Sequence, residues 1–517
     1  MLYLCSHVIP GWKTAELDKK LLYNRIETMR IKSLLVALLM AATALVAVSC
    51  EKDKVEEPSS QEEPITGSAF GKQLKSLDIV SRMDTIVPVQ NPAGYNELYR
   101  VTFKQLVDHN NPSAGTFEQK AFLFYVGDDR PTVLYTCGYI LYEAYAQAPF
   151  VDLAYNMNAN LLMVEHRYFG NSKPANDPRW DYLTIAQAAA DHHAIIEALK
   201  PLLPREWVST GTSKDGMTSI FLRYFYPNDI DVTTAFCSPL MTSLHYKPVG
   251  LYMNNESGTA EERAQMRAIM NRMLQNGEQG LYARCLELLD EHNINDTAED
   301  YSFTWYVRNL HEGFFYYFSY GDQGSPNHLP SLNATDDQLI LTMLAAVFNP
   351  YDYSFVYPYE IQTAKELGQF DYDYEAYADV LEGTSFDASS LRSNPSDLHP
   401  EDRWLYSTYD SSLLVDIRNN FIPNTTCPIL LVYQKNDPWT GARPDQVNQQ
   451  YSKMIINPSG IHNHDINNPA HYSPGTRQEI MDFIAQYVPY GNDPAIAKRP
   501  VISISHKMKD QFMIRRW

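Results

Sequence analysis

Three residues of this chain have the types and the chain order that acyl transfer by serine requires: Ser213, Asp437 and His462. That chemistry needs a nucleophile beside a base, an acid that orients the base, and N–H donors for the oxyanion that forms. Ser213 lies in STGTSKDG, after the β-rich run EWVST and before the helix-compatible MTSIFLRYF. A G-x-S-x-G sequence in that context is a strained strand-to-helix turn that presents the serine oxygen, although G-x-S alone is also an ordinary turn. One letter departs, because Asp215 stands at the second glycine position. Asp437 follows the apolar run CPILLVY, and Pro438 fixes the turn behind it; an Asp-Pro turn without chemistry is the plainer use of that pair. His462, in SGIHNHDI, precedes the last helical pattern, with His464 and His471 as rivals for the base. The oxyanion donors are expected from the backbone of Lys214 and from Gly138–Tyr139, in the loop after TVLYTC.

These residues need a scaffold that holds the ends of several strands together. From Leu77 to Leu244 short apolar runs alternate with helical patterns, the signal for an α/β domain with a mostly parallel sheet. Asn96 to Val107 and Glu118 to Val126 read as an antiparallel entry pair joined through HNNPSAG. Thr132 to Cys137, Asn160 to Glu165, Trp207 to Thr210 and Thr233 to Cys237 suit buried parallel strands. Between the second and third of these, DYLTIAQAAADHHAIIEALKPLL repeats its apolar residues at helical spacing and closes at Pro201 and Pro204. From Lys247 to Arg403 long Tyr- and Glu-rich helical segments take over, and then CPILLVY and RQEIMDFIAQYV restore a strand and a helix. The expected architecture is an α/β-hydrolase fold, a mostly parallel sheet flanked by helices, with a helical lid insertion. Its parts are core 77–245, lid 246–405, core 406–492 and a C-terminal tail 493–517.

The amino-terminal region reads differently. MRIKSLLVALLMAATALVAVSC, residues 29–50, has early positive charges, an apolar stretch and a terminal cysteine, the layout of a secretory signal. Its end resembles a bacterial lipobox, which makes Cys50 the expected lipidation site and the cell envelope the expected location. Residues 1–28 then read as an upstream extension, and residues 51–76, charged and rich in Pro and Ser at the start, as a flexible tether. With 62 acidic against 42 basic residues and a net charge of -20, no basic run is available to follow nucleic acid, so the only expected membrane link is the lipid anchor. Cysteines 137, 237, 285 and 427 form no C-x-x-C pair and read as small buried side chains, so neither a metal nor another cofactor is expected. The oligomeric state is not encoded in any pattern.

A family resemblance rests on longer motifs. FKQLVDH at residues 103–109, followed by Asn111-Pro112 and GTFEQ, resembles the entry motif of the serine exopeptidases that include lysosomal Pro-Xaa carboxypeptidase and dipeptidyl peptidase II. EHRYFGNS at 165–172 with Pro174, and the helix YLTIAQAAAD, are similar to their next two signatures. Lys214 after the serine, NDPWTG around Asp437 and GIHNHDI look like the bacterial secreted tripeptidyl aminopeptidases, so the likeness spans roughly residues 77–490. It implies an exported exopeptidase that acts on peptides near the N-terminus, releases short peptides, often with a preference involving proline, and binds the free amine with a carboxylate such as Glu312 of the lid. It also implies that Glu165 and Arg167 brace a loop below the site.

Asp215 complicates this expectation. A Cβ and a carboxylate there threaten crowding and desolvation, and their charge would oppose the oxyanion, while an acid in a first helical turn gains roughly 0.3–1 kcal/mol from the dipole if exposed. Reduced activity is expected, with a catalytically impaired peptide-binding protein of the same fold, or an esterase or lipase, as the other readings.

Overall fold

The computed structural model describes residues 68–490 apart from 176, 178, 293–300, 322–328, 348–356, 390–397 and 464. The signal (29–50) with Cys50, the upstream extension (1–28), His464 and the C-terminal tail (493–517) lie outside the described residues.

Short, largely apolar or β-branched runs bounded by turns become the buried strands β4 (Thr132–Thr136), β5 (Asn160–Val164), β6 (Trp207–Thr212, with Thr212 half-buried), β7 (Val232–Phe236) and β8 (Ile429–Gln434). Burial on both faces is what a parallel sheet covered by helices imposes. These strands lie in the order β5-β4-β6-β7-β8, all parallel, with β9 (Lys453–Asn457) outside β8. On the other side the antiparallel β1 (Val80–Thr85), β2 (Glu97–Leu106) and β3 (Thr116–Tyr125) complete a nine-stranded sheet. The fold is that of an α/β hydrolase. The entry pair is antiparallel, with Leu106 opposite Thr116 at the loop.

Two helices matter for the site: α1 (Ile185–Leu199), capped by the Thr184 hydroxyl, and α2 (Lys214–Phe225). Between β7 and β8 lie the helices of the inserted segment, among them Pro248–Asn255, Ala260–Leu274, Leu281–Glu291 and α3 (Phe303–Tyr320). They bury their own apolar cluster, with Met270, Met273, Tyr306, Leu310 and Phe314 almost fully covered, so the insertion has a core of its own.

The tether is shorter than expected. Ala69–Lys75 forms a helix whose Phe70 ring stacks on Tyr125 at 3.8 Å and whose Leu74 is fully buried, so these residues belong to the body. An apolar pair four residues apart outweighs the polar composition around it.

Glu366 ties the insertion to the core, because its carboxylate accepts the Ile185 N–H at 2.8 Å, at the start of α1. Burial pushes its carboxyl up to about 7, against the opposing pull of that N–H and of Lys365. Between the usual carboxylate range and about pH 7 the folded chain therefore binds a proton that the unfolded chain has lost, so this group costs stability as pH rises through that window. The expected result is that Glu366→Gln gains on the order of 1–2 kcal/mol over the parent between pH 4.5 and 8. Urea midpoints measured at both pH values check this; a gap that does not widen with pH rules it out.

Candidate active site

The turn at the end of β6 forces Ser213 to φ 58 and ψ -127, a left-handed conformation that costs a non-glycine residue about 1–3 kcal/mol. Its neighbours hold it there: the Ser213 N–H donates to the Phe236 carbonyl of β7 at 2.8 Å, and the Met217 N–H donates to the Ser213 carbonyl at 2.9 Å. The close approach of α2 to the sheet needs bare glycine. A Cβ on Gly211 would lie 2.4 Å from the Asp215 carbonyl carbon, and one on Gly216 would lie 2.1 Å from Ser238 Oγ.

Asp437, fully buried just past β8, accepts the Trp439 N–H at 3.1 Å on Oδ1, and its Oδ2 lies 2.6 Å from His462 Nδ1. A buried carboxylate facing a ring nitrogen accepts, so Nδ1 carries the proton and Nε2 of the neutral ring is the basic atom. The His462 N–H donates to the Ser319 carbonyl at 2.7 Å, so α3 of the insertion fixes the histidine loop. The ring packs against Tyr320 (5.7 Å) and Trp439 (6.2 Å), and both line a cavity of about 230 Å³ together with Ser213, Lys214 and Tyr139. The structure thus brings Asp437 and His462 into contact and sets Ser213 on the wall shared with the histidine's neighbours. His471 enters this region through its backbone carbonyl, which accepts from Asn457 at 2.7 Å.

The expected oxyanion donors need a correction. The Gly138 N–H donates to Asp215 Oδ1 at 2.5 Å, and the Gly138 carbonyl accepts from Lys214 Nζ at 2.5 Å. That N–H is therefore committed to Asp215, and of the expected donors the Lys214 and Tyr139 N–H groups remain. Asp215 Oδ2 also accepts the Tyr135 hydroxyl at 2.7 Å. The expected crowding is relieved elsewhere, since Gly211 makes the space beside the Asp215 Cβ. Burial pulls the Lys214 ammonium down to about 7, partly offset by Asp215, and the ammonium also faces the rings of Phe169 (4.9 Å) and Tyr139 (5.2 Å).

Glu165 and Arg167 are built into the scaffold and do not line the cavity. Glu165 accepts the Leu141 N–H at 3.0 Å and the Ser172 hydroxyl at 2.6 Å, tying the 138–141 loop to the EHRYFGNS segment. Arg167, fully buried, pairs with Asp191 through two nitrogens at 2.7 and 2.6 Å and caps the carbonyls of Leu106, Val107 and Tyr182. The entry motif, the second signature and α1 meet at this ion pair.

Glu312 does line the cavity, and it accepts the Tyr316 hydroxyl at 3.1 Å. Sequence reasoning missed the other charged groups there, Glu360, Asp371, Arg308 and His245. They converge from four separate segments and share no motif; only the density of lid carboxylates hinted at them. An aromatic wall was also missed: Phe315 stacks on Phe370 at 4.8 Å, and Trp439 closes on both at 5.3 and 4.8 Å.

Among the described residues two groupings have ligand atoms close enough to hold a metal ion. One is Cys237 with Asp437 and His462, but burial and the Asp437 charge push the Cys237 thiol well above its usual range, which disfavours the thiolate a metal needs. The other is His193, Glu197 and Asp229, in which the imidazole already contacts Asp229 at 2.8 Å and stacks on Tyr226 at 4.0 Å.

The family model described as PS-10 peptidase S37 matches residues 73–368, a segment that contains Ser213, the 138–141 loop and Glu312 but ends before Asp437. A prolyl tri/tetrapeptidyl aminopeptidase from Streptomyces mobaraensis is 28% identical over 357 residues, 67% of this chain and 71% of that protein. The human lysosomal Pro-X carboxypeptidase is 28% identical over 193 residues, which cover 32% of this chain and only 37% of its own length. Among solved structures, an alpha/beta fold family hydrolase from Bacillus anthracis str. Sterne aligns with 75% of this chain and 99% of its own at 11% identity and a TM-score of 0.29.

Proposed function

The chain belongs to the PS-10 peptidase S37 family and is a serine peptidase, and from that premise we propose that it is an exopeptidase that releases short peptides from substrate N-termini through a Ser213–His462–Asp437 triad. The observation that carries this reading is the buried Asp437–His462 pair at 2.6 Å beside a cavity on which Ser213 stands at φ 58. In the proposed reaction His462 Nε2 takes the Ser213 proton, the serine oxygen attacks the peptide carbonyl, and the N–H groups of Lys214 and Tyr139 receive the oxyanion. The protonated imidazole then delivers its proton to the leaving amine, and water hydrolyses the acyl-enzyme with His462 again acting as base.

Two features support action at a peptide's N-terminus. Glu312, Glu360 and Asp371 line the cavity with carboxylates that suit an ammonium, and Glu312 is the proposed partner. The wall of Phe315, Phe370 and Trp439 lies beside the His462 ring, where a flat apolar side chain such as proline packs next to the bond being cut. Peptide anilides with free and acetylated N-termini test the reading. The expected result is turnover of the free form at least tenfold above the acetylated form, with Glu312→Gln raising KM about tenfold for the free form only, the effect of losing one charge-assisted contact. Equal cleavage of both forms would mean that the amine is not read.

A further inference from the structure

Asp215 looks like a defect in the sequence and a brace in the structure. Consecutive side chains of one helical turn grip both backbone polar groups of one residue, on the two peptide units that flank its Cα: Asp215 accepts from the Gly138 N–H, and Lys214 donates to the Gly138 carbonyl. The grip is anchored to the sheet, because the other Asp215 oxygen accepts the Tyr135 hydroxyl and the Asp215 carbonyl accepts the Thr136 hydroxyl at 2.7 Å, both from β4. A Cβ on Gly138 would stand 2.8 Å from the Lys214 carbonyl carbon, so the two chain segments are already at closest approach. The peptide whose carbonyl Lys214 holds also carries the Tyr139 N–H, on its opposite side, and Tyr139 lines the cavity beside Ser213.

We propose that Asp215 is a positioning residue, which with Lys214 clamps the two peptides on either side of Gly138 and thereby aims the Tyr139 N–H at the oxyanion formed on Ser213. Substrate does not touch Asp215 in this scheme; its carboxylate is taken up by the loop. The sign of the expectation read from the sequence is therefore reversed: restoring glycine at 215 removes an anchor from the oxyanion loop and slows the reaction. The competing outcome is concrete as well. If the Gly138 N–H, once released, served as a better oxyanion donor than Tyr139, Asp215→Gly would be the faster enzyme.

This inference rests on the serine peptidase reading of the site, so the test separates the two. Peptide turnover is measured for the full chain, for Asp215→Gly, Asp215→Ala and Asp215→Asn, and for Ser213→Ala as the blank. Amide hydrogen exchange of residues 136–141 and melting temperatures are recorded on the same samples. The expected result is a kcat lowered roughly 10- to 100-fold in Asp215→Gly and Asp215→Ala, smaller than the roughly 10²- to 10³-fold loss when an oxyanion donor is removed outright because the Tyr139 N–H remains, with KM little changed. Asp215→Asn, which keeps an oxygen acceptor for the Gly138 N–H, should stay within about threefold of the parent, and exchange at Gly138 should quicken only in the glycine and alanine variants. A kcat in Asp215→Gly equal to or above the parent overturns the proposal. So does unaltered Gly138 exchange in both truncated variants. If the parent shows no turnover above the Ser213→Ala blank, the exopeptidase reading fails, and the exchange data alone then decide whether the clamp exists.

Discussion

Ser213→Ala and His462→Ala are each expected to lower kcat by roughly 10⁵- to 10⁶-fold, and the double variant should be no worse than either single one. The non-additivity is the informative part. A nucleophile without its base and a base without its nucleophile have lost the same step, so the second change finds nothing left to remove. Alanine at 213 leaves the backbone contacts of the elbow in place, the N–H to Phe236 and the carbonyl to Met217, so binding should survive and KM should stay near the parent value. His462 has a second structural attachment through its own N–H to Ser319, which keeps the loop in position once the ring is gone. A fluorophosphonate probe gives a readout independent of substrate choice: the parent should label and both variants should not. Labelling that persists in Ser213→Ala would place the reactive serine elsewhere. A parent that binds peptides yet neither labels nor turns over would make the chain a binding protein of peptidase ancestry.

Much of this site was legible in the sequence because its parts sit where the fold changes direction. The strands that end at the candidate positions are buried on both faces, so their apolar runs stand out against the turns, and Ser213 and Asp437 each follow such a run. Edge strands carry no such signal. In β1 only Met83 is buried, and β9 exposes Ile456, so neither strand stands out as an apolar run. The helix at 69–75 was hidden for a related reason, since its two anchoring residues are too few to mark a period against a polar background. Within the site the errors have one cause. Which acceptor a backbone N–H meets depends on the side chain that faces it across the fold, and Gly138 and Asp215 are 77 residues apart. The cavity wall is harder still, because Phe315, Phe370 and Trp439 belong to segments whose local patterns read as ordinary helix and loop.

Asp437→Asn is the second large effect, and the one that separates a catalytic carboxylate from a structural turn. Asparagine keeps the size of the side chain and an oxygen able to accept the Trp439 N–H, so the turn after β8 should persist and the melting temperature should change little. What changes is the other contact. The carboxylate oxygen 2.6 Å from His462 Nδ1 can only accept, and it fixes the proton on that nitrogen. An amide NH₂ in its place donates to Nδ1, the ring takes the other tautomer, and Nε2 then carries a proton just where Ser213 needs a base. The loss expected from this exchange is about 10³- to 10⁴-fold in kcat, smaller than removal of the imidazole because the base itself remains. Burial of Asp437 strengthens the argument, since water has little access to take over the carboxylate's role. A loss of less than tenfold, measured on the peptide that the parent cleaves fastest, would show that His462 finds its orientation without Asp437, and the 2.6 Å pair would then be scaffold, like Arg167 with Asp191.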